Sequence, residues 1–144
     1  LAEKQKEMQR ETMANLVMPC KIKALRFVFR QSKPAIFGVH VEAGVLKPGT
    51  EMINSDDEKI AEIKAIQSEG KSIGKAARGM EVAVSMPNIT FGRQVKENDI
   101  LYSDMGEENF HKLKQNKQYL TQEEISVLQE IAQIKRKKKA TWGV

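Results

Sequence analysis

The chain has 144 residues, which is enough for one compact domain with a core of its own. It carries 24 lysine and arginine residues against 19 acidic ones, so its net charge is +5. That balance excludes a protein that is basic on every face, because one run of five residues accounts for the whole excess: Lys135, Arg136, Lys137, Lys138 and Lys139. This run is expected either to contact a polyanion such as RNA or to serve only solubility.

The single cysteine, Cys20, excludes an internal disulfide framework and suits a reducing compartment. The sequence holds no signal peptide and no apolar run of the length needed to cross a bilayer. Because the chain begins with Leu1 instead of methionine, we expect a processed chain or a C-terminal piece of a longer one.

The first segment, residues 1–17, lacks glycine and proline and is rich in good helix formers. Its apolar face is weak, because Gln5, Gln9 and Thr12 dilute it, and a weak face does not bury well against a core. Pro19 then ends the pattern. The sequence therefore predicts an inter-domain spacer helix over residues 1–17.

Residues 18–104 are typical of short β-strands separated by Gly or Pro turns, which favours a small closed β-barrel. The clearest strand alternates apolar residues with Gly38 and His40, as expected when one face is buried. Those apolar residues are Phe37, Val39 and Val41.

Two phenylalanines, Phe27 and Phe29, lie between Arg26 and Arg30 in the segment LRFVFR. Aromatic residues interleaved with basic ones on a strand can stack on nucleic-acid bases. The two rings share one face, however, and in a small barrel we expect that face to be the core. The sequence thus favours a structural role for both rings.

Turn signals mark the middle of the barrel. In the segment 47–50, KPGT, proline occupies the second turn position and glycine the third, as a type II turn requires. We expect a hairpin there. Residues 80–86 alternate cleanly, with their methionines and valines on one side, and residues 89–103 predict a further pair of short strands.

The stretch 67–79, QSEGKSIGKAARG, contains the last three residues of a phosphate-binding loop, beginning at Gly70. The full pattern needs a glycine five residues earlier, where this chain has Ala65, and a long helix afterwards. Two later glycines argue against that helix, so we expect a basic loop without nucleotide. Just upstream, the isoleucines of residues 56–70 recur every three positions, which taken alone predicts a short helix.

Residues 105–144 are predicted to form two helices that end in the basic run. Thr121 and Glu124 have the spacing of a capping box, in which each side chain bonds the other's backbone N–H. The second helix carries an apolar stripe over about half its circumference, more than one surface needs. It comprises Ile125, Val127, Leu128, Ile131, Ala132 and Ile134. The width indicates either a partner beside its own domain or two internal surfaces.

The sequence shows no catalytic constellation. His40 and His111 are far apart, and with one cysteine they cannot form a zinc site of ordinary spacing. Cys20 opens a strand beside apolar neighbours, which is typical of a buried, inert thiol. The residues therefore favour a binding module over an enzyme.

The order of these parts, with FGVHVEAGVLKPGT and ARGMEVAVSM in the barrel, resembles the C-terminal domain (domain IV) of archaeal and eukaryotic translation initiation factor five B. This family is homologous to bacterial initiation factor two. The spacing V-x-x-G-x-L-K-x-G-T at 41–50 is shared by translational GTPases, whereas GMEVAVSM followed by FGRQVKENDIL is more specific. The resemblance implies a mainly β fold of the translational-GTPase domain II type with two C-terminal helices. It also overrules the short helix, since KIAEIKAIQ is then a strand paired with MEVAVSM.

The resemblance implies that the domain recognises the methionylated acceptor end of initiator tRNA and supports ribosomal subunit joining. Three strand segments are then expected to form the pocket: Gly38, Val39 and His40; Ala65, Ile66 and Gln67; and Met80, Glu81, Val82 and Ala83. Val39 and Val82 stand where bacterial factors have cysteines, and no basic pair flanks Ile66. What remains is an apolar slot for the methionine side chain, with Glu81 or backbone groups to hydrogen-bond the terminal adenosine.

The resemblance also implies that the terminal helices bind the C-terminal tail of initiation factor one A. We expect that tail between the helices, with lysines on the rim, contacting Leu113, Ile125, Leu128 and Ile131. Residues 135–139 would contact ribosomal RNA, the tRNA backbone or an acidic partner, and are expected to be disordered. The implied parent protein is cytoplasmic, with no membrane partner, and holds its GTP and magnesium in an upstream domain, so this chain needs no cofactor and is not an enzyme.

A competing interpretation is the structural barrel of another translational GTPase, whose helices and basic tail bind RNA non-specifically. Deleting residues 135–144 would then abolish RNA affinity. Under the first interpretation the same deletion would only reduce the salt dependence of binding.

Overall fold

The computed structural model describes residues 16–143, in which nine β-strands form an antiparallel sheet curled into a half-barrel, followed by two α-helices. The strands are β1 (Cys20–Arg30), β2 (Ala35–Leu46), β3 (Glu51–Ile53), β4 (Lys59–Glu62), β5 (Ala65–Ser68), β6 (Lys71–Ile73), β7 (Ala76–Ala77), β8 (Glu81–Met86) and β9 (Ile100–Ser103). The helices are α1 (Glu107–Gln115) and α2 (Gln122–Arg136), joined through a 3-10 turn at Lys117–Tyr119. The mainly β class and the two terminal helices are confirmed. The spacer helix predicted over residues 1–17 lies almost wholly outside the described residues.

The strands follow the order β4-β3-β9-β1-β2-β8-β5-β6 across the sheet, and β7 pairs with the C-terminal end of β2. The long strands β1 and β2 form the spine of the half-barrel and bury one face each. Their inward residues are Cys20, Ile22, Ala24, Phe37, Val39 and Val41. Over the part of the chain that the structure describes, no ladder joins β4 to β6, so the two edges of the curled sheet do not pair with each other.

The turn at 47–50 has the predicted geometry but not the predicted hairpin. Gly49 has a φ of +88°, as the third residue of a type II turn must. The turn connects β2 to β3, which lie apart in the sheet, and β3 pairs instead with β4. The reason lies in the backbone: the Gly49 N–H donates to the Ile63 carbonyl at 2.7 Å, and the Ile63 N–H donates to the Thr50 carbonyl at 2.9 Å.

The prediction of a short helix over residues 56–70, made from the isoleucine spacing alone, is wrong. The segment forms β4 and β5 with a bend between them, and Ile63 in the bend is fully buried. The three-residue spacing therefore reflects two strands that meet at a bend. β5 pairs with β8, placing Gln67 opposite Ala83 as the resemblance implied, while β4 pairs with β3.

The phosphate-loop-like residues lie in the β5–β6 hairpin. Glu69 and Gly70, with φ of +54° and +80°, form its turn, and Ser72 pairs back with Gln67. No helix follows them, because β6 and β7 come next. Of the two strands predicted in residues 89–103, only β9 is regular. Thr90 and Phe91 make isolated bridges to Ser32 and Val95.

The helices pack on the outside of the half-barrel and on each other. The capping box at the start of α2 is confirmed: the Glu124 N–H donates to the Thr121 hydroxyl at 3.2 Å, and the Thr121 N–H donates to Glu124 Oε1 at 2.9 Å. α2 lies against β1, β2 and β9, where Lys21 Nζ contacts Glu130 Oε1 at 3.2 Å. Its apolar stripe joins a second core, and this core includes Ile53, Tyr102, Phe110, Leu113, Val127, Leu128, Ile131, Ala132, Ile134 and Trp142. Two internal surfaces therefore account for most of the stripe's width.

Candidate functional site

An open groove of about 580 Å³ crosses the outer face of the half-barrel, over β1, β2, β8 and β5. Residues of these strands and of the β5–β6 turn line it: Leu25, Phe27, Phe29, Ile36, Gly38, Gln67, Ser68, Glu69, Gly70, Glu81, Val82 and Ala83. Most of this lining is apolar, and its ionisable members are the two carboxylates, Glu69 and Glu81. We refer to it as the outer groove.

The expectation that Phe27 and Phe29 lie in the core is wrong. The two side chains are 54% and 70% exposed, and both line the outer groove. The Arg26 guanidinium lies 5.6 Å from the centre of the Phe27 ring. Large rings left in water at this level mark a surface that a ligand or partner can cover.

The alternation of inward and outward side chains along β1 explains why Phe27 and Phe29 face outward, and the sequence already shows this alternation. Cys20, Ile22 and Ala24 point inward, so the alternating lysines point outward. A bulge between Ala24 and Val28 adds two residues to β1 relative to β2, which leaves the parity unchanged. Val28 therefore pairs with Phe37 on the inner face, and its two aromatic neighbours face out.

Gly38 forms the floor of the outer groove in the middle of β2. A Cβ atom built there would lie 3.5 Å from Phe27 Cβ and 3.7 Å from Leu25 Cβ, which is ordinary contact distance. The glycine is therefore not needed for backbone geometry. Its effect is to keep open the space between the aromatic wall on β1 and Ala83, its pairing partner on β8.

The structure brings five of the predicted acceptor-end residues together in the outer groove: Gly38, Gln67, Glu81, Val82 and Ala83. Val39 and Ile66 instead point into the core, with 0% and 1% exposure, because they have the opposite parity on β2 and β5. Ala65 is half-buried and does not line the groove. The groove residues that the prediction missed are those of β1, Ile36, Ser68 and the β5–β6 turn.

His40 and Met80 lie beside the groove and have other contacts. His40 Nδ1 is 3.0 Å from Glu42 Oε1, and the Met80 sulfur accepts a hydrogen bond from the Ala77 N–H at 3.3 Å. Neither residue lines the outer groove. Their side chains flank the end at which Glu81 lies, since His40 and Glu81 are paired across β2 and β8.

A second, smaller groove of about 310 Å³ lies between α1 and α2. Its apolar lining includes Ile125 and Leu128, two of the residues predicted to bind a partner tail, together with Phe110 and Ala132. Its cations are Lys114, Lys117 and Arg136. The other two predicted contacts, Leu113 and Ile131, are fully buried in the helical core and do not reach this surface. We refer to this as the helical groove.

The basic run is not a disordered tail but a segment folded back on the barrel. Lys135 Nζ lies 2.6 Å from Asp104 Oδ1 and 2.8 Å from Asp57 Oδ1, with its side chain only 12% exposed. The hydrogen bonds with Asp104 and Asp57 raise the pKa of Lys135, although burial, the largest single influence, acts to lower it. This lysine therefore holds the end of α2 against the loop after β3.

The other four basic residues also have partners within the domain. Lys137 and Lys138 donate to the carbonyls of Ser55 and Asp57 at 2.8 and 3.0 Å. Lys139 contacts Glu107 at 2.8 Å, and that hydrogen bond lowers the pKa of the carboxyl. Arg136 donates to the carbonyl of Trp142 at 2.7 Å. We call residues 135–139 the basic clasp.

Burial raises the pKa of the Cys20 thiol to about 12, so this sulfur stays protonated and unreactive at neutral pH. Across residues 16–143, no three His, Cys, Asp or Glu side chains are grouped so as to hold a metal ion. Within the same span, no helix is long and apolar enough to cross a membrane.

Comparison with known proteins places this fold in a family. Residues 18–102, more than half of the chain, match the family described as elongation factor Tu domain 4. The probable translation initiation factor IF-2 of Methanopyrus kandleri is 44% identical over 138 residues, covering 94% of this chain and 23% of that protein. The protein of the same name from Hyperthermus butylicus is 42% identical over 146 residues, covering 99% of this chain and 23% of its own.

A solved structure is similar over nearly the whole chain. The crystal structure of GDP-bound aIF5B from Aeropyrum pernix superposes with a TM-score of 0.90 at 33% identity, covering 99% of this chain and 24% of that one. The present chain thus spans about a quarter of the length of these relatives. It belongs to the elongation factor Tu domain 4 family, as a C-terminal domain of the translation initiation factor IF-2 (aIF5B) kind.

Proposed function

We propose that this translation initiation factor domain binds the methionylated acceptor end of initiator tRNA in the outer groove, and so supports subunit joining on the cytoplasmic ribosome. One observation carries the proposal: five residues expected from the family pattern meet in a single apolar groove that two exposed phenylalanines border. A groove of about 580 Å³ falls within the size range of small-ligand sites.

The chemistry of the groove suits both parts of such a ligand. A methionine thioether packs favourably against aromatic rings, which Phe27 and Phe29 supply. Nucleobases stack on exposed aromatic side chains, with about 1–3 kcal/mol per base. Glu81 is exposed at the groove and can accept hydrogen bonds from the hydroxyl or amino groups of the terminal adenosine.

The test compares a short acceptor-stem RNA with and without methionine attached through a stable amide, at two salt concentrations. We expect tighter binding of the methionylated RNA at both salts. Gly38→Val should remove that preference, because its added methyl groups fill the floor of the groove. Gly74→Val is the matched control, since a Cβ at Gly74 meets nothing within 4 Å and Gly74 lines none of these grooves.

Equal binding of the two RNAs that disappears at high salt would contradict the proposal. Glu81→Ala tests one contact separately: we expect weaker binding of the methionylated RNA with the fold intact. Unchanged affinity in that variant would remove Glu81 from the site while leaving the groove in place.

A second candidate function is binding of the C-terminal tail of initiation factor one A in the helical groove. Its support is the combination of an apolar floor at Ile125 and Leu128 with three cations at the rim, which suits an acidic peptide with apolar anchors. Lys114→Glu with Lys117→Glu should abolish binding of that peptide. Lys112→Glu is the control, because Lys112 pairs with Glu108 and does not line the groove.

Non-specific RNA binding by the basic run is disfavoured as the main function, because each residue of the basic clasp has a partner in the domain. We further propose that this chain needs no cofactor and catalyses no reaction. GTP and magnesium would belong to an upstream domain of the whole factor.

A further inference from the structure

A concavity of about 600 Å³ adjoins the outer groove and has a different chemistry. We infer that it is a subsite for the backbone phosphates of the single-stranded acceptor end, which enters the outer groove from this side. The inference rests on the proposed function, and it adds a direction to the bound strand. The residues that would carry it are Lys33 and Lys64, and we refer to the concavity as the lysine subsite.

The two concavities share one continuous surface of the sheet. Ile36 lines the outer groove and Ser85 lines the lysine subsite, and these two residues are direct partners across β2 and β8. Lys64 immediately precedes β5, and its backbone N–H donates to the Ser85 carbonyl at 2.8 Å. The groove and the subsite are therefore neighbours on the sheet, and a strand lying in one can continue into the other.

The lysine subsite is lined for an anion. Lys33 and Lys64 are both exposed, and neither pairs with a carboxylate within residues 16–143. Its remaining polar lining consists of hydroxyls and an amide, from Ser32, Ser85, Asn88 and Thr90, and it includes no acidic residue. Unpaired ammonium groups beside neutral hydrogen-bond donors are the usual contacts of a phosphodiester backbone.

The opposite end of the outer groove holds both of its carboxylates. Glu69 and Glu81 lie there together, because β5 and β8 run antiparallel and Gln67 pairs with Ala83. Lys71 is exposed and pairs with Ser68, but it does not line the groove, so the ionisable groups that line this end are both acidic. Electrostatics thus orient the strand, with phosphates over the lysine subsite and the aminoacyl ester towards the carboxylates.

The experiment measures binding of the methionylated acceptor-stem RNA over a series of salt concentrations to the wild-type chain and to Lys33→Gln/Lys64→Gln. Each lost contact with a single strand lowers the slope of log affinity against log salt by about 0.7, so we expect a reduction of about 1.4. At about 0.1 M salt the same loss corresponds to roughly 25-fold weaker binding. The ratio between methionylated and bare RNA should stay unchanged.

Lys47→Gln/Lys75→Gln is the matched control, because both lysines are exposed and line neither concavity. An unchanged slope in the Lys33/Lys64 variant, or an equal reduction in the control, would overturn the subsite. RNA with uncharged methylphosphonates in its single-stranded end should bind the wild type and the variant equally. Loss of the methionine preference in the wild type would instead defeat the proposed function, and the slope would still report on the subsite.

Discussion

The outer groove and the basic clasp distribute their side chains in opposite ways. The groove leaves large apolar rings in water, with Phe29 70% exposed, although apolar surface normally drives burial. The clasp takes five cations, which water solvates well, and gives each one an acceptor within the domain, with Lys135 nearly buried between Asp57 and Asp104. The outer groove is thus the surface whose side chains lack partners within the domain. The basic clasp, although charged, already has its hydrogen-bond acceptors there.

A binding surface is recognised by side chains that lack a partner within the domain. Lys135, Lys137 and Lys138 contribute to holding the end of α2 on the half-barrel. Lys135 and Lys139 face carboxylates, so part of the charge of the clasp is neutralised before any RNA arrives. The rings of the groove contribute little to the fold, because they lie outside both cores. Selection for stability alone would not place two phenylalanines there.

The largest effect should come from Lys135→Met. The substitution leaves the two carboxylates of Asp57 and Asp104 close together without a cation, and removing one partner of a largely buried pair costs about 3 kcal/mol of unfolding free energy. Urea unfolding measures the loss. Lys138→Met is the control, because its ammonium bonds only a carbonyl at the surface. If both variants lost the same unfolding free energy, the ion pairs of Lys135 would contribute no more than a surface hydrogen bond.

The second effect concerns the groove and should leave stability untouched. Phe27→Ala with Phe29→Ala should weaken binding of the methionylated acceptor end about thirtyfold, since one stacked base contributes about 1–3 kcal/mol. Unfolding free energy should change by less than about 0.5 kcal/mol. Val28→Ala is the matched control, because Val28 is also exposed but points to the other face of β1. If the double variant lost stability but kept its RNA affinity, the two rings would serve the fold and not the binding of RNA.

Sequence patterns predicted the features that depend on neighbouring residues. The capping box at Thr121 and the positive φ at Gly49 are local, and both are confirmed. The segments that line the groove on β2, β5 and β8 followed from the family pattern. Cys20 and the residues that alternate with it define the inner face of β1, and this alternation places Phe27 and Phe29 on the outer face. The prediction missed it because aromatic residues are usually buried.

The clasp could not be predicted because its contacts are distant in the chain. A run of five basic residues has the composition of a solvated tail. Only the folded position of α2 brings Lys135 between Asp57, in the loop after β3, and Asp104, directly after β9. Charge counting gives the net excess of the run but not the location of its counterions.

A third prediction uses pH to separate the buried centre of the clasp from its surface. Because its ion pairs raise the folded-state pKa of Lys135 above the ordinary value for lysine, its contribution to stability is complete below the unfolded pKa and is lost as pH rises through the folded one. The stability difference between wild type and Lys135→Met should therefore be constant from about pH 7 to 9.5 and shrink above about pH 10.5. Urea unfolding at several pH values measures it. A difference that grows at high pH would contradict the assigned ion pairs.

The smallest effect should come from Lys137→Gln, Lys138→Gln and Lys139→Gln combined. Lys139 and its partner Glu107 are 62% and 37% exposed, and water screens the attraction between exposed charges. Unfolding free energy should fall by no more than about 1 kcal/mol, and the preference for methionylated over bare RNA should not change. If the variant lost its preference for methionylated RNA, the three lysines would have to leave their partners in the domain and bind RNA. The outer groove and the basic clasp would then be two parts of one site, because binding in the groove would depend on opening the clasp.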